Sequence, residues 1–187
     1  MPVRRKRNAA EALWMCILRY AARLRTKRST HLGKILDTNL WVFGTLRTNE
    51  QATKLLAQID RGETTSAINA YMIQETLTAF DRTQSLSSAD RDATKIRFLT
   101  RLTRMTGLIE APSSHDVSTS LLREQRSAPA VQTLACVCGI QAKDVPILVL
   151  AFEHCDREPT ILTNDESFAE FEPAAHSLPE ISIEHVS

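Results

Sequence analysis

The sequence predicts an α/β domain built on a mainly parallel sheet. From residue 34 onward, short apolar runs of strand length alternate with stretches whose apolar residues recur at helical spacing, the signature of strand–helix–strand units. With 43% hydrophobic and 24% charged residues, the composition is that of a globular protein and excludes wholesale disorder. A chain of 187 residues suits one ordinary domain. It contains no apolar run near the roughly 18 residues that a membrane-spanning helix needs.

The elements follow in order. Lys34-Ile35-Leu36 reads as a buried strand ending in the polar cluster Asp37-Thr38-Asn39. Residues 50–61 set Ala52, Leu55, Leu56 and Ile59 at helical spacing, and Gly62 supplies a stop. Thr64 to Ile68 is β-prone, and Asn69 is placed to cap a helix carrying Met72, Ile73, Thr76, Leu77 and Phe80. Ser88 is a candidate cap for a helix with Ile96, Leu99 and Leu102 on its apolar face. Leu108-Ile109 is a short strand, and Ser114 or Asp116 is placed to start a helix through Leu121 and Leu122. Residues 130–138 read as a helix stopped by Gly139, and Asp144 with Pro146 opens another over Ile147 to Phe152. Residues 160–163 form a strand, Asn164-Asp165 a loop, and Ile181-Ser182-Ile183 a last strand. Trp41 and Phe43, just after the first strand, are read as core or dimer packing before base stacking.

The formal net charge of +1 conceals two unlike pieces. Residues 1–34 hold ten Lys and Arg against one acid, a net +9, while residues 35–187 hold thirteen against twenty-one, a net −8. Residues 1–33 are therefore set apart as a basic extension, helical or disordered. The apolar stretch near Leu13–Leu18 is short and interrupted by Arg19, with further basic residues where a secretory cleavage region belongs. Cys16, Cys136, Cys138 and Cys155 read as reduced thiols of a cytoplasmic protein. The one-residue gaps among Cys136, Cys138, His154 and Cys155 are wrong for the usual zinc spacings. Five glycines in the whole chain leave no phosphate-cradling loop and no dinucleotide fingerprint.

The chemistry therefore points to acids. Ligands of open α/β sheets bind beyond the carboxyl ends of the strands. Asp37 and Asp165 each follow a strand, Asp144 opens a helix at the same edge, and Glu75 lies six residues beyond its helix cap, too far in to serve the helix dipole. Converging carboxylates repel one another unless they protonate or recruit a cation. An oxygen-only donor set suits Mg²⁺ or Mn²⁺, ions that support phosphoester hydrolysis.

Four stretches, in order, carry a resemblance. Ile35-Leu36-Asp37-Thr38-Asn39-Leu40-Trp41-Val42 resembles the opening motif of the PIN-domain ribonucleases, a family that includes the toxins of VapBC-type toxin–antitoxin pairs. Ile73-Gln74-Glu75-Thr76-Leu77, Lys143-Asp144-Val145-Pro146-Ile147-Leu148-Val149-Leu150-Ala151 and Ile161-Leu162-Thr163-Asn164-Asp165-Glu166-Ser167-Phe168 resemble the segments bearing that family's other three acids. The resemblance spans residues 34–187 and implies a three-layer α/β/α domain that hydrolyses phosphodiester bonds of single-stranded RNA with Mg²⁺ or Mn²⁺. It implies Asp37, Glu75, Asp144 and Asp165 as catalytic, metal-binding acids, with Asn39 and Thr163 as supporting polar groups and Glu166 able to share the role of Asp165. An RNA substrate, an antitoxin partner, a homodimer and no membrane association follow from the same resemblance. The intervals of 38 residues from Asp37 to Glu75 and 21 from Asp144 to Asp165 match the family pattern, whereas the 69 from Glu75 to Asp144 is long and places extra chain between residues 81 and 135.

Asp81, Asp90, Asp92 and Asp116 are read as helix-end or surface acids. A haloacid-dehalogenase-like phosphatase needs an acid two residues after its first aspartate, where this chain has Asn39, and a response-regulator receiver needs an acidic pair that is missing here. The surviving alternative is a non-catalytic PIN-like module that binds RNA or protein. Arg97, Arg101 and Arg104 are the basic residues of the long interval positioned to guide a nucleic-acid strand.

Overall fold

The computed structural model describes residues 32–112 and 117–187. The basic extension and the helix-start positions Ser114 and Asp116 lie outside the described residues. Strand β1 (Lys34–Leu36) is followed by helices α1 (Thr38–Leu46) and α2 (Glu50–Asp60), strand β2 (Ser66–Ala67), and helices α3 (Ala70–Arg82) and α4 (Ser88–Leu102). Strand β3 (Leu108–Glu110) precedes helices α5 (Val117–Glu124), α6 (Pro129–Cys138) and α7 (Val145–Glu153). The chain closes with β4 (Thr160–Thr163), the short helix α8 (Glu166–Ala169) and β5 (Ser182–His185).

The pairings among the described residues are all parallel. One sheet has the order β1–β4–β5, with Ile35 opposite Ile161 and Ile161 opposite Ile183. The other pairs β2 with β3. The Lys34 amide donates to the Thr65 carbonyl at 2.9 Å, and the Gly33 amide donates to the Thr65 hydroxyl at 2.7 Å. These bonds set β2 beside β1, so the strands follow one another as β3–β2–β1–β4–β5. The direction of winding reverses between β1 and β4, which makes their carboxyl ends the topological switch point. This helix-rich α/β architecture agrees with the predicted fold class, and no helix among the described residues is long and apolar enough to cross a membrane.

Most elements lie where the sequence puts them. Asn49 and Asn69 cap α2 and α3, accepting from the amides of Ala52 at 2.8 Å and Met72 at 2.9 Å. Pro129 opens α6, and Gly139 ends it at φ +70°, a left-handed position that favours glycine. Three differences are informative. Residues 38–46 form a helix that the sequence reading left unassigned, because its apolar residues surround it and give no one-sided stripe. The last strand begins at Ser182 and runs to His185. Helix α4 is capped by Ser87, which accepts from the Asp90 amide at 3.2 Å one residue before the expected Ser88, and it buries Thr94, Phe98 and Leu102, leaving Ile96 67% and Leu99 42% exposed. The Phe98 ring meets Trp41 and Phe80 edge-on, at centroid separations of 6.2 and 5.8 Å, and this aromatic contact sets the rotation of the helix. Trp41 is wholly buried and Phe43 is half-buried against the core, in line with the packing role.

One core unites the strands with α1–α4 and α7, and a smaller cluster of Ala128, Val131, Leu134, Ala135 and Val145 joins α6 to α7. Asn69 also donates from Nδ2 to the Pro146 carbonyl at 2.9 Å, tying the start of α3 to the first turn of α7. Cys136, Cys138 and Cys155 are free thiols.

Two glycines mark close approaches. A Cβ on Gly44 of α1 would stand 2.6 Å from Leu56 Cδ1 and 2.7 Å from the Ala52 carbonyl of α2. A Cβ on Gly107 would collide with the Thr64 and Ile59 carbonyls, both fixed backbone. Gly107→Ala is therefore expected to destabilise by about 3 kcal/mol, and Gly44→Ala by less because alanine favours a helix there. Chemical denaturation of both variants checks the order; equal or negligible losses would refute the packing argument.

Candidate active site at the switch point

The carboxyl ends of β1 and β4 are joined through one hydroxyl. Thr163 Oγ1 donates to Asp37 Oδ2 at 2.7 Å and accepts from the Asp165 amide at 3.0 Å. Thr163 is fully buried and Asp37 is only 5% exposed. Nearby, Asn39 Nδ2 donates to Asn164 Oδ1 at 2.9 Å, a second side-chain link between the two chain segments. Both supporting residues named by the sequence thus bridge the switch point.

The four acids occupy different electrostatic situations. Burial raises the pKa of Asp37, opposed by the Thr163 hydrogen bond and the nearby Lys143 charge. Asp144 is the first-turn boundary of α7 but makes no side-chain capping bond. It is 2% exposed, no hydrogen bond to its carboxylate is found among the described residues, and burial with the charges of Asp37 and Asp165 pushes its pKa up to about 7. Asp165 caps α8 by accepting from the Ser167 amide at 3.1 Å, and its Oδ2 lies 2.5 Å from Lys143 Nζ. The Lys143 and Ser167 hydrogen bonds hold its pKa down at about 2. Glu75, on the side of α3, accepts from Arg126 at 2.6 Å. Arg126 in turn donates from Nε to the Tyr71 phenolic oxygen at 2.7 Å, and burial pushes the Tyr71 hydroxyl up to about 12.

Asp37, Thr38, Asn39, Tyr71, Glu75, Arg126 and Lys143 line a cavity of about 280 Å³, closed at its far end by the last turn of α3 with Arg82 and Thr83. Asp144 and Asp165 stand outside that lining, and the Lys143 ammonium senses the charges of Asp37, Asp144 and Asp165 together. Glu166 is exposed. Asp81 and Asp92 pair with Lys95, and Asp90 bonds Ser87, as expected of surface acids.

The sequence reading missed Tyr71, Arg126 and Lys143. Tyr71 lies four residues before Glu75 on the same helix face, and Lys143 adjoins Asp144, so both were detectable by spacing. Arg126 lies in the turn between α5 and α6, where no periodicity announces it.

Among the described residues, no three His, Cys, Asp or Glu side chains stand close enough to share one metal ion. The donor chemistry nonetheless fits a hydrated hard cation. Mg²⁺ keeps several waters and needs only one or two protein carboxylates, and Asp144 is a buried carboxylate without a hydrogen bond beside a second buried one.

Among solved structures, the chain is similar to one from the VapBC2 complex of Rickettsia felis bound to a DNA fragment from its promoter. The TM-score is 0.49 and the identity 16%, over 83% of this chain and 99% of that one. No family model and no curated protein matches the sequence.

Two outcomes test this geometry. In divalent-free buffer the native Asp144 carboxyl holds its proton to about 7, whereas the unfolded chain releases it near its ordinary value. The native state thus binds the extra proton between these values, and stability falls as pH rises through that window. Asp144→Asn is expected to shrink that fall, the remainder coming from Glu153 and Asp37, whose carboxyls burial also raises, and to gain on the order of 2 kcal/mol near neutral-to-alkaline pH; an unchanged pH profile in denaturant melts would contradict the assignment. Thr163→Val is expected to cost about 2 kcal/mol, because it leaves Asp37 Oδ2 and the Asp165 amide without their partner. Thermal denaturation at neutral pH reads this loss.

Proposed function

We propose that this chain is a metal-dependent endoribonuclease that hydrolyses phosphodiester bonds of single-stranded RNA. The observation that carries the reading is Asp144, a buried carboxylate without a hydrogen bond, set against Asp37 and Asp165 at the switch point. The four-motif resemblance to PIN-domain ribonucleases supports the same reading. Asp37 and Asp144 would hold Mg²⁺ or Mn²⁺ with water in the other positions, since no third acid among the described residues stands within reach of the same ion; Asp165 and Glu75, which the motif resemblance also names as metal-binding, would act from beside it. When bound, such an ion supplies Lewis-acid stabilisation of the charge that develops on the phosphoryl group.

The chain's own groups divide the remaining work. Thr163 fixes the Asp37 carboxylate through the 2.7 Å bond and thereby orients it. Arg82, Arg126 and Lys143 give the cavity a cationic wall suited to a phosphodiester, which offsets the −8 of residues 35–187 where the substrate would enter. Tyr71 holds the Arg126 guanidinium through its phenolic oxygen at 2.7 Å. The long interval between Glu75 and Asp144 supplies Arg126, so the extra chain contributes to the site. The motif resemblance extends the proposal to an antitoxin partner and a homodimer.

One observation favours a non-catalytic RNA- or protein-binding module instead. Lys143 and Arg126 already neutralise Asp165 and Glu75 within the chain, at 2.5 and 2.6 Å. Cleavage of a single-stranded RNA with Mn²⁺ separates the two readings. Asp37→Asn is expected to slow cleavage by about a hundredfold or more and to weaken Mn²⁺ binding in calorimetry. Intact RNA with both proteins, together with no detectable Mn²⁺ binding, would leave only the binding module.

A further inference from the structure

A second cavity, of about 630 Å³, lies at the other end of α1 among α1, α2 and α4. It is separate from the acidic site: Asp37 precedes α1 and Arg47 follows it, roughly 15 Å apart by helical rise alone. Its lining includes Arg47, Arg97, Arg101 and Arg104 and a single acid, Asp60. Asp60 is taken by Arg101, whose Nη2 stands 2.5 Å from its Oδ2 and whose Nε donates to the same oxygen at 2.9 Å. The side chains of Arg47, Arg97 and Arg104 form no ion pair or hydrogen bond among the described residues, so three guanidiniums line one concavity without a paired acid among those residues.

We propose that this cavity is an anion site that takes a phosphate group carried on a larger organic molecule. Guanidinium forks match phosphate oxygens bidentately, and a phosphomonoester brings roughly −1.5 to −2 of charge to the three free cations. The volume exceeds what inorganic phosphate alone would fill, leaving room for an attached body such as a nucleoside. The site does not depend on the nuclease reading, because none of its residues belongs to the acidic centre.

Calorimetry of the full chain in divalent-free buffer tests it, with adenosine monophosphate, adenosine and a short single-stranded RNA as probes. Adenosine monophosphate is expected to bind and adenosine not to bind, with affinity falling as salt rises. Arg97→Gln/Arg104→Gln is expected to lower the affinity by about tenfold or more. Asp37→Asn is expected to leave it within about twofold, since distant sites act independently. Arg47→Gln provides the same reading if the double variant loses its fold by circular dichroism. RNA binding much tighter than the mononucleotide, and lost in the arginine variants, assigns the site to a nucleic-acid strand; comparable affinities assign it to a free nucleotide. No binding of either phosphate-bearing probe, or binding untouched by the arginine variants, overturns the proposal.

Discussion

The hydroxyl of Thr163 is the point on which the arrangement turns. It donates to a buried Asp37 and accepts from the Asp165 amide, so one side chain satisfies groups from β1 and from the segment after β4. The Asp37 amide also donates to the Leu162 carbonyl at 2.8 Å. A carboxylate at 5% exposure is tolerable only because that hydroxyl and the nearby ammonium offset part of its desolvation. Valine would fit the same space at Thr163 and leave two polar groups stranded, which explains why a strand of otherwise apolar inward residues ends in threonine.

Charge balance at the site is internal and uneven. Lys143 touches Asp165 and senses Asp37 and Asp144 as well, while Arg126 serves Glu75. Asp144 alone is left without a direct partner, and its proton affinity records that deficit. Without a cation, the centre thus has one carboxyl held down at about 2 by Lys143 and Ser167 and one pushed up to about 7 by burial, a difference set by their partners and not by their chemistry.

Much of this was legible because strand ends and helix caps have local signatures. Asp37 and Asp165 could be placed at one sheet edge from short apolar runs followed by polar residues, and Asn69 from the periodicity behind it. Helix α1 escaped because Leu40, Trp41 and Val42 are all buried, so burial on several sides erased the amphipathic stripe. The orientation of α4 escaped for a different reason: Ile96 and Leu99 compete with Phe98 in hydropathy, and only contact with Trp41 and Phe80 decides between the faces. Arg126 escaped because a partner 51 positions from Glu75 is a tertiary fact with no local imprint.

The two side-chain hydrogen bonds of Asn69 have a mechanical consequence. Its Oδ1 holds the first turn of α3 while its Nδ2 holds the first turn of α7. Glu75 and Asp144 ride on those two elements, so their spacing is riveted at the backbone and tolerates little sliding of one helix against the other. Asp165 rides instead on a helix of four residues with its own cap. The acidic centre is thus held on one side by a bond between two helices and on the other by Thr163 and Lys143, so an occupant that drew on the Asp165 carboxylate would have to compete with the Lys143 ammonium for it.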